Sequence, residues 1–210
     1  MKNVDRTIVQ AVLFDVYGTL FDIGDRRAPY RQLLRLGVRQ GRKVCKTDTG
    51  LLMSQRLGLE KAAVLLGISL TGAELMELEM ELAAELASIV PFADALPALR
   101  ALRRKGYKIG LCSNLAQDYA APVLAQLPFG LDACIWSFEA GAVKPDPLIY
   151  ARACQELGCT PGQVLMVGDT AVADVTGPRQ FGMQAVLLDR TQRFVDENAI
   201  PDLSVLSELP

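Results

Sequence analysis

Apolar positions along this chain fall into two textures. From Val9 to Val16 the run VQAVLFDV is short, apolar and rich in β-branched residues, and it stops at Tyr17-Gly18-Thr19. That pattern predicts a buried strand followed by a turn. From 22 to 90, Leu, Met, Ala, Arg and Glu recur at helical spacing with few β-branched runs. RAPYRQLLRLGVRQ and TGLLMSQRLGLEKAAVLLG read as helical, and ELMELEMELAAELASIV (74–90) predicts an amphipathic helix, so the block reads as an all-helical insertion of three or four helices. After Pro91 helix and strand patterns alternate. Helices are expected in ALPALRALRRKG (stopped by Gly106), DYAAPVLAQL (opened by Asp118), DPLIYARACQELG (ended by Gly158) and VADVTGPRQFG. Strands are expected in YKIGLCSN, LDACIWS, QVLMVGD and QAVLLDR.

Strands that alternate with helices imply an α/β fold, a mostly parallel sheet covered on both faces and closed around the helical insertion. Ligands of such sheets bind beyond the carboxyl ends of the strands. That topology singles out Asp15 and Tyr17, Ser113 and Asn114, Lys144, and Asp169 with Asp174.

Composition narrows the chemistry. The 210 residues are 50% hydrophobic and 22% charged, the balance of an ordinary globular protein. Lys and Arg number 22 against 24 Asp and Glu, which leaves no electrostatic footprint for nucleic acid. The basic stretch Arg26 to Lys46 reads as a solvated helical face. No apolar run approaches the ~20 residues that cross a bilayer, and MKNVDRTIVQ lacks the core and cleavage site of a signal peptide, so no membrane association and a cytoplasmic location are expected. Five scattered cysteines without a C-x-x-C pair fit a reducing compartment. Histidine is absent. That removes His triads, His general bases and most zinc sites.

Each singled-out residue has an ordinary role and a chemical one. Asp15 in FDVYGTL is either a turn former before Gly18 or a carboxylate nucleophile, with Thr19 offering a hydroxyl to substrate. Ser113-Asn114 is either a helix cap or a donor pair for a phosphoryl or carboxylate oxygen. A loop lysine such as Lys144 is ordinarily solvated, but Pro145 and Pro147 stiffen its loop as the fixing of one ammonium would require. Asp169 and Asp174 in VGDTAVAD are either helix-start acids or a pair that needs a cation between them. Mg²⁺ suits such an all-oxygen site.

The set FDVYGTL, LCSN, VKPDP and VGDTAVAD, in that order and at strand ends, resembles the haloacid dehalogenase-like superfamily over residues 9–190. The resemblance implies a Rossmann-like core over 1–21 and 91–210, a helical cap over 22–90, and a short closing strand and helix in AIPDLSVLSEL. It also implies an aspartyl intermediate on Asp15. The family's phosphatases carry DxDGT, whose second Asp serves as general acid and base; here that position is Tyr17, as in the haloacid dehalogenases, whose halide leaves without a proton. The fourth motif points the other way, since phosphatases keep GDxxxxD for Mg²⁺ and this chain has Asp169 and Asp174. The reading reached is a Mg²⁺-dependent phosphatase of a small phosphorylated metabolite. Catalytic residues are Asp15, Tyr17, Thr19 and Lys144, with Ser113 and Asn114 on the substrate. The metal is held by Asp15, the Tyr17 carbonyl, Asp169 and Asp174. The alternatives are an L-2-haloacid dehalogenase and a catalytically idle binding member. Phosphonate-cleaving relatives use a cap lysine, for which Lys43, Lys46 and Lys61 are candidates. Tyr30 and Arg31 are the suggested cap residues facing the site. The expected partner is a small anionic substrate, and the chain is expected to be a monomer or homodimer.

Overall fold

A computed structural model describes residues 4–192 and 199–210; the first three residues of MKNVDRTIVQ lie outside these. Five parallel strands form the central sheet: β1 (Ala11–Phe14), β4 (Lys108–Ser113), β5 (Ala133–Trp136), β6 (Val164–Gly168) and β7 (Gln184–Leu187), in the order β5-β4-β1-β6-β7. β1 is central and wholly buried, which explains why its sequence is continuously apolar. Alternate residues serve opposite faces. Val12 and Phe14 join Ile109 and Leu111 against Leu99 and Leu102 of α5 (Ala95–Arg104). Ala11 and Leu13 join Cys112 and Met166 against Ile149, Tyr150 and Leu157 of α8 (Pro147–Leu157).

Between β2 (Phe21–Ile23) and β3 (Ile89–Pro91) lie α1 (Pro29–Arg39), α2 (Asp48–Met53), α3 (Leu59–Leu65) and α4 (Gly72–Ala87). These four helices share their own apolar cluster, in which Leu33, Leu52, Leu59, Leu78 and Leu82 meet. Thr71 and Glu74 form a reciprocal capping box at the start of α4. The helix expected to run through Val90 stops at Ala87. Ser88 turns its hydroxyl back to the Glu85 carbonyl at 2.7 Å, and the β-branched pair Ile89-Val90 precedes a proline that disfavours helix before it. Ile89–Pro91 instead pairs antiparallel with Phe21–Ile23, a two-strand stalk beneath the helices.

Three helix expectations on the sheet side are also modified. The segment expected to start at Asp118 is a 3-10 turn (Gln117–Tyr119) followed by the five-residue α6 (Ala120–Leu124). Asp118 does not cap it; its carboxylate accepts the Tyr30 hydroxyl at 2.5 Å. VADVTGPRQFG splits into a π-helix (Ala171–Thr176) and α9 (Gly177–Phe181), where Pro178, lacking an N–H, sits at a helix start instead of an interior. A short helix not foreseen, α7 (Ser137–Ala140), follows β5. In AIPDLSVLSEL the closing strand is a single bridge between Leu188 and Ile200, and the helix is a 3-10 segment (Leu203–Glu208). All five cysteines are free. Among the described residues no helix is long and apolar enough to cross a membrane.

Candidate active site

The carboxyl ends of β1, β4 and β6 converge on one edge of the sheet. Asp15 directly follows β1 and stays in the ladder, its N–H donating to the Val167 carbonyl at 2.9 Å. The chain then leaves the sheet through a tight turn in which the Gly18 and Leu20 N–H groups donate to the Phe21 and Val16 carbonyls. Gly18 has φ +88°, and a Cβ there would lie 2.2 Å from a carboxylate oxygen of Asp169. The glycine thus supplies both the left-handed backbone and the space in which Asp169 approaches the loop.

Asp15, Ser113, Lys144 and Asp174 form one buried cluster. Ser113 donates its hydroxyl to Asp15 Oδ1 at 3.0 Å. Lys144, 4% exposed, forks its ammonium to Asp15 Oδ1 at 2.8 Å and Asp174 Oδ1 at 2.6 Å. The remaining Asp174 oxygen accepts the Thr170 N–H at 2.9 Å. Asn114 holds the lysine loop by both amide atoms: its side-chain NH₂ donates to the Lys144 carbonyl at 2.9 Å, and its oxygen accepts the Lys144 N–H at 2.7 Å. Neither residue of the Ser113-Asn114 pair caps a helix. Thr19 is fully buried, and its hydroxyl has no partner among the described residues.

Carboxylate oxygens of Asp15, Asp169 and Asp174 lie within 4.8 Å of one another. One ammonium faces these three carboxylates. Burial alone would push Lys144 toward the neutral amine, but Asp15 and Asp174 outweigh it and its pKa is raised. Asp174 is also raised, chiefly by burial, with Asp15 adding to it against the pull of Lys144. The two directions are compatible, because the lysine sees two anions while each carboxylate shares one cation with another anion. Asp169 is raised by burial and then by Asp15. Oxygen donors this close suit a hard divalent cation. Cys112, a buried strand residue, has its thiol pushed up to about 12 by burial.

Tyr17 donates its hydroxyl to the Tyr119 carbonyl at 2.7 Å, and the two rings meet edge to face at 5.9 Å. Tyr119 in turn donates to Glu85 at 2.7 Å. Glu85 also accepts the N–H of Arg27 at 2.5 Å and that of Ala28, a residue at φ +53° immediately before α1. Burial, then the charge of Glu85, raises the pKa of Tyr17. Above these residues lies a cavity of about 360 Å³ lined by Tyr17, Asn114 and Tyr119 below and by Tyr30, Arg31 and Leu52 from the helices. Lys43, Lys46 and Lys61 are not among its lining residues.

Sequence reasoning did not single out Glu85, Tyr119 or Arg190. Glu85 had a signal: Leu78, Leu82 and Glu85 occupy one buried face of α4, so an acid interrupts an apolar stripe. Arg190 gave none. It pairs bidentately with Asp94 at 2.9 and 3.0 Å, donates to the Thr19 carbonyl at 2.8 Å and stacks on Phe92 at 4.0 Å, so it braces the loop after β1 from the last strand's exit.

Known proteins resemble this chain over much of its length. A family model described as haloacid dehalogenase-like hydrolase matches residues 9–182. A phosphoserine phosphatase of Thermus thermophilus is 36% identical over 119 residues, 56% of this chain and 47% of that protein. The chain thus spans about half the length of that relative, and similar shares (54% and 55%) of two others. An (S)-2-haloacid dehalogenase of Pseudomonas sp. (strain YL) is 28% identical over 95% of this chain and 91% of its own. The crystal structure of a HAD phosphatase from Thermococcus onnurineus superposes with a TM-score of 0.62 over 94% of this chain and 96% of that one, at 24% identity, which speaks to the fold. With the family model covering most of its length and the motif residues gathered at one sheet edge, the chain belongs to the haloacid dehalogenase-like hydrolases.

Proposed function

We propose that this hydrolase is a Mg²⁺-dependent phosphatase that transfers a phosphoryl group from a small metabolite to Asp15 and then to water. The observation that carries the reading is the clustering of Asp15, Asp169 and Asp174, with carboxylate oxygens within 4.8 Å of one another, where the one lysine present bonds Asp15 and Asp174 but not Asp169. Without a cation, a cluster bearing three negative charges and one positive would repel an anionic substrate. Asp15, Asp169, Asp174 and the Tyr17 carbonyl would hold Mg²⁺. Bound there, the ion offsets negative charge on the carboxylates and on the transferring phosphoryl oxygens.

The chain's own residues supply the rest. An Asp15 oxygen attacks phosphorus, and the bond to the leaving oxygen breaks. Ser113, already within hydrogen-bond reach of Asp15, is placed to donate to a phosphoryl oxygen, as is the unpartnered hydroxyl of Thr19. Lys144 neutralises charge on the nucleophile and the transition state. Asn114 keeps the lysine loop in place. Water then cleaves the aspartyl phosphate and regenerates the carboxylate.

A specific observation also favours a second reading, L-2-haloacid dehalogenation. The position that would carry a general acid is Tyr17, whose proton is committed to the Tyr119 carbonyl, and a departing halide needs no proton. The near-full-length similarity to an (S)-2-haloacid dehalogenase points the same way. Asp169 weighs against it, since an extra anion beside Asp15 disfavours approach of a carboxylate substrate. Titration calorimetry with MgCl₂ separates the two: one-to-one binding that is abolished in Asp169→Asn supports the phosphatase, whereas no heat of binding in the wild type would argue against it.

A further inference from the structure

The cavity between the sheet edge and the helices is apolar in most of its lining and offers no available acid. Its lining tyrosines turn their hydroxyls into the protein: Tyr17 to the Tyr119 carbonyl (2.7 Å), Tyr119 to Glu85 (2.7 Å), and Tyr30 to the Leu57 carbonyl (2.9 Å) and Asp118 (2.5 Å). The rings themselves, with Leu34, Leu52 and Met53, are left to face a ligand. Glu85 is the one carboxylate among the described lining residues, and its oxygens accept the Tyr119 hydroxyl and the N–H groups of Arg27 and Ala28. Those three donors hold the carboxylate against the Arg27-Ala28 backbone and Tyr119 and occupy its oxygens. Arg31, which also lines the cavity, makes no hydrogen bond or ion pair among the described residues, unlike Arg27 and Arg42 nearby.

We propose that the substrate is a phosphoryl compound whose leaving group departs as a stabilised oxyanion, an aryl or acyl phosphate with a flat apolar body and a second negative charge directed at Arg31. This deepens the phosphoryl-transfer reading and rests on it. An Asp15 oxygen forms the new bond to phosphorus. The bond from phosphorus to the leaving oxygen breaks with its electron pair on that oxygen, which leaves unprotonated and takes a proton only from solvent. Water then adds to phosphorus, the bond to Asp15 breaks, the carboxylate returns, and the water's protons leave with phosphate and solvent. A cavity of about 360 Å³ accommodates a body of one aromatic ring and its substituents.

The test compares kcat/KM with Mg²⁺ for acetyl phosphate, 4-nitrophenyl phosphate, phenyl phosphate, 4-carboxyphenyl phosphate and the alkyl ester 2-phenylethyl phosphate. A general acid is worth at least about 100-fold, so the alkyl ester is expected to be slower than 4-nitrophenyl phosphate by more than that factor. A preference for the aryl phosphates over acetyl phosphate identifies the aryl source, whereas the reverse would identify the acyl source and overturn the flat apolar body. In Arg31→Gln the ratio of kcat/KM for 4-carboxyphenyl over phenyl phosphate is expected to fall about tenfold. Equal rates on the aryl and alkyl esters would overturn the leaving-group assignment while leaving phosphoryl transfer intact. An unchanged ratio in Arg31→Gln would overturn the second-charge assignment. Release from none of these compounds would bring down the phosphoryl reading and this inference with it.

Discussion

Lys144 stands between two aspartates, and its energetics follow from that placement. Removing the cation from a buried pair leaves uncompensated charge, which typically costs about 3–5 kcal/mol. Lys144→Met is therefore expected to destabilise the fold by about 3 kcal/mol at neutral pH, and by less at pH 5, where Asp174, its pKa raised to about 6 chiefly by burial, takes up a proton instead. Denaturant unfolding at the two pH values checks this; a loss independent of pH would contradict it. Asp15→Asn is expected to lower turnover by about 10⁴-fold or more, the scale seen when a nucleophile is removed. Retention of turnover in that variant would contradict the assignment. Asp169 and Asp174 bind protons more tightly in the folded state than in the unfolded chain. Their ionisation therefore subtracts stability as pH rises above about 4, and acidification restores it. Mg²⁺ competes with those protons, so the rise in Tm on adding Mg²⁺ is expected to grow between pH 5 and pH 7.5. A thermal shift that does not vary with pH would count against these carboxylates as ligands.

Loops and helix ends govern the site at the scale of elements. Gly18→Ala places a Cβ against Asp169 in a left-handed conformation, and that backbone strain alone is worth about 1–2 kcal/mol. The variant is expected to lower both stability and Mg²⁺ affinity, the second because the carboxylate must move; calorimetry that finds wild-type affinity would show that the loop and Asp169 are not coupled. Glu85 ties α4 to the segment entering α1 and to Tyr119. Glu85→Ala leaves those donors unsatisfied, at about 1–3 kcal/mol each for a buried group, and urea unfolding should register the loss. The sheet strands were legible because buried parallel strands are written as apolar runs ending at turn signals. The ends of α4 and of the Ala171–Phe181 segment were less so. Their boundaries depend on partners distant in sequence, Phe21–Ile23 for the stalk, and on Pro178 entering a helix start instead of breaking an interior.

Over the whole molecule, the α/β plan with a helical block between the first strand and the rest follows from periodicity alone, and the motif residues from their positions at strand ends. Lys144 and Asp174 came together with Asp15 as that topology implies, although they are 129 and 159 residues away. The supports behind them were not legible. Arg190 reaches Thr19 across 171 residues, and the tyrosine–glutamate chain joins the helices to the sheet edge through hydroxyls that no local pattern marks. The choice of reaction rests on two positions that pull apart, Tyr17 and Asp169, so the decisive measurement reads the leaving product. Purified protein is incubated with acetyl phosphate and, separately, with L-2-chloropropionate, each with Mg²⁺ or excess EDTA. The account predicts phosphate release that requires Mg²⁺ and vanishes in Asp15→Asn, with no chloride released. Chloride release that is indifferent to EDTA, with no phosphate release, would contradict it.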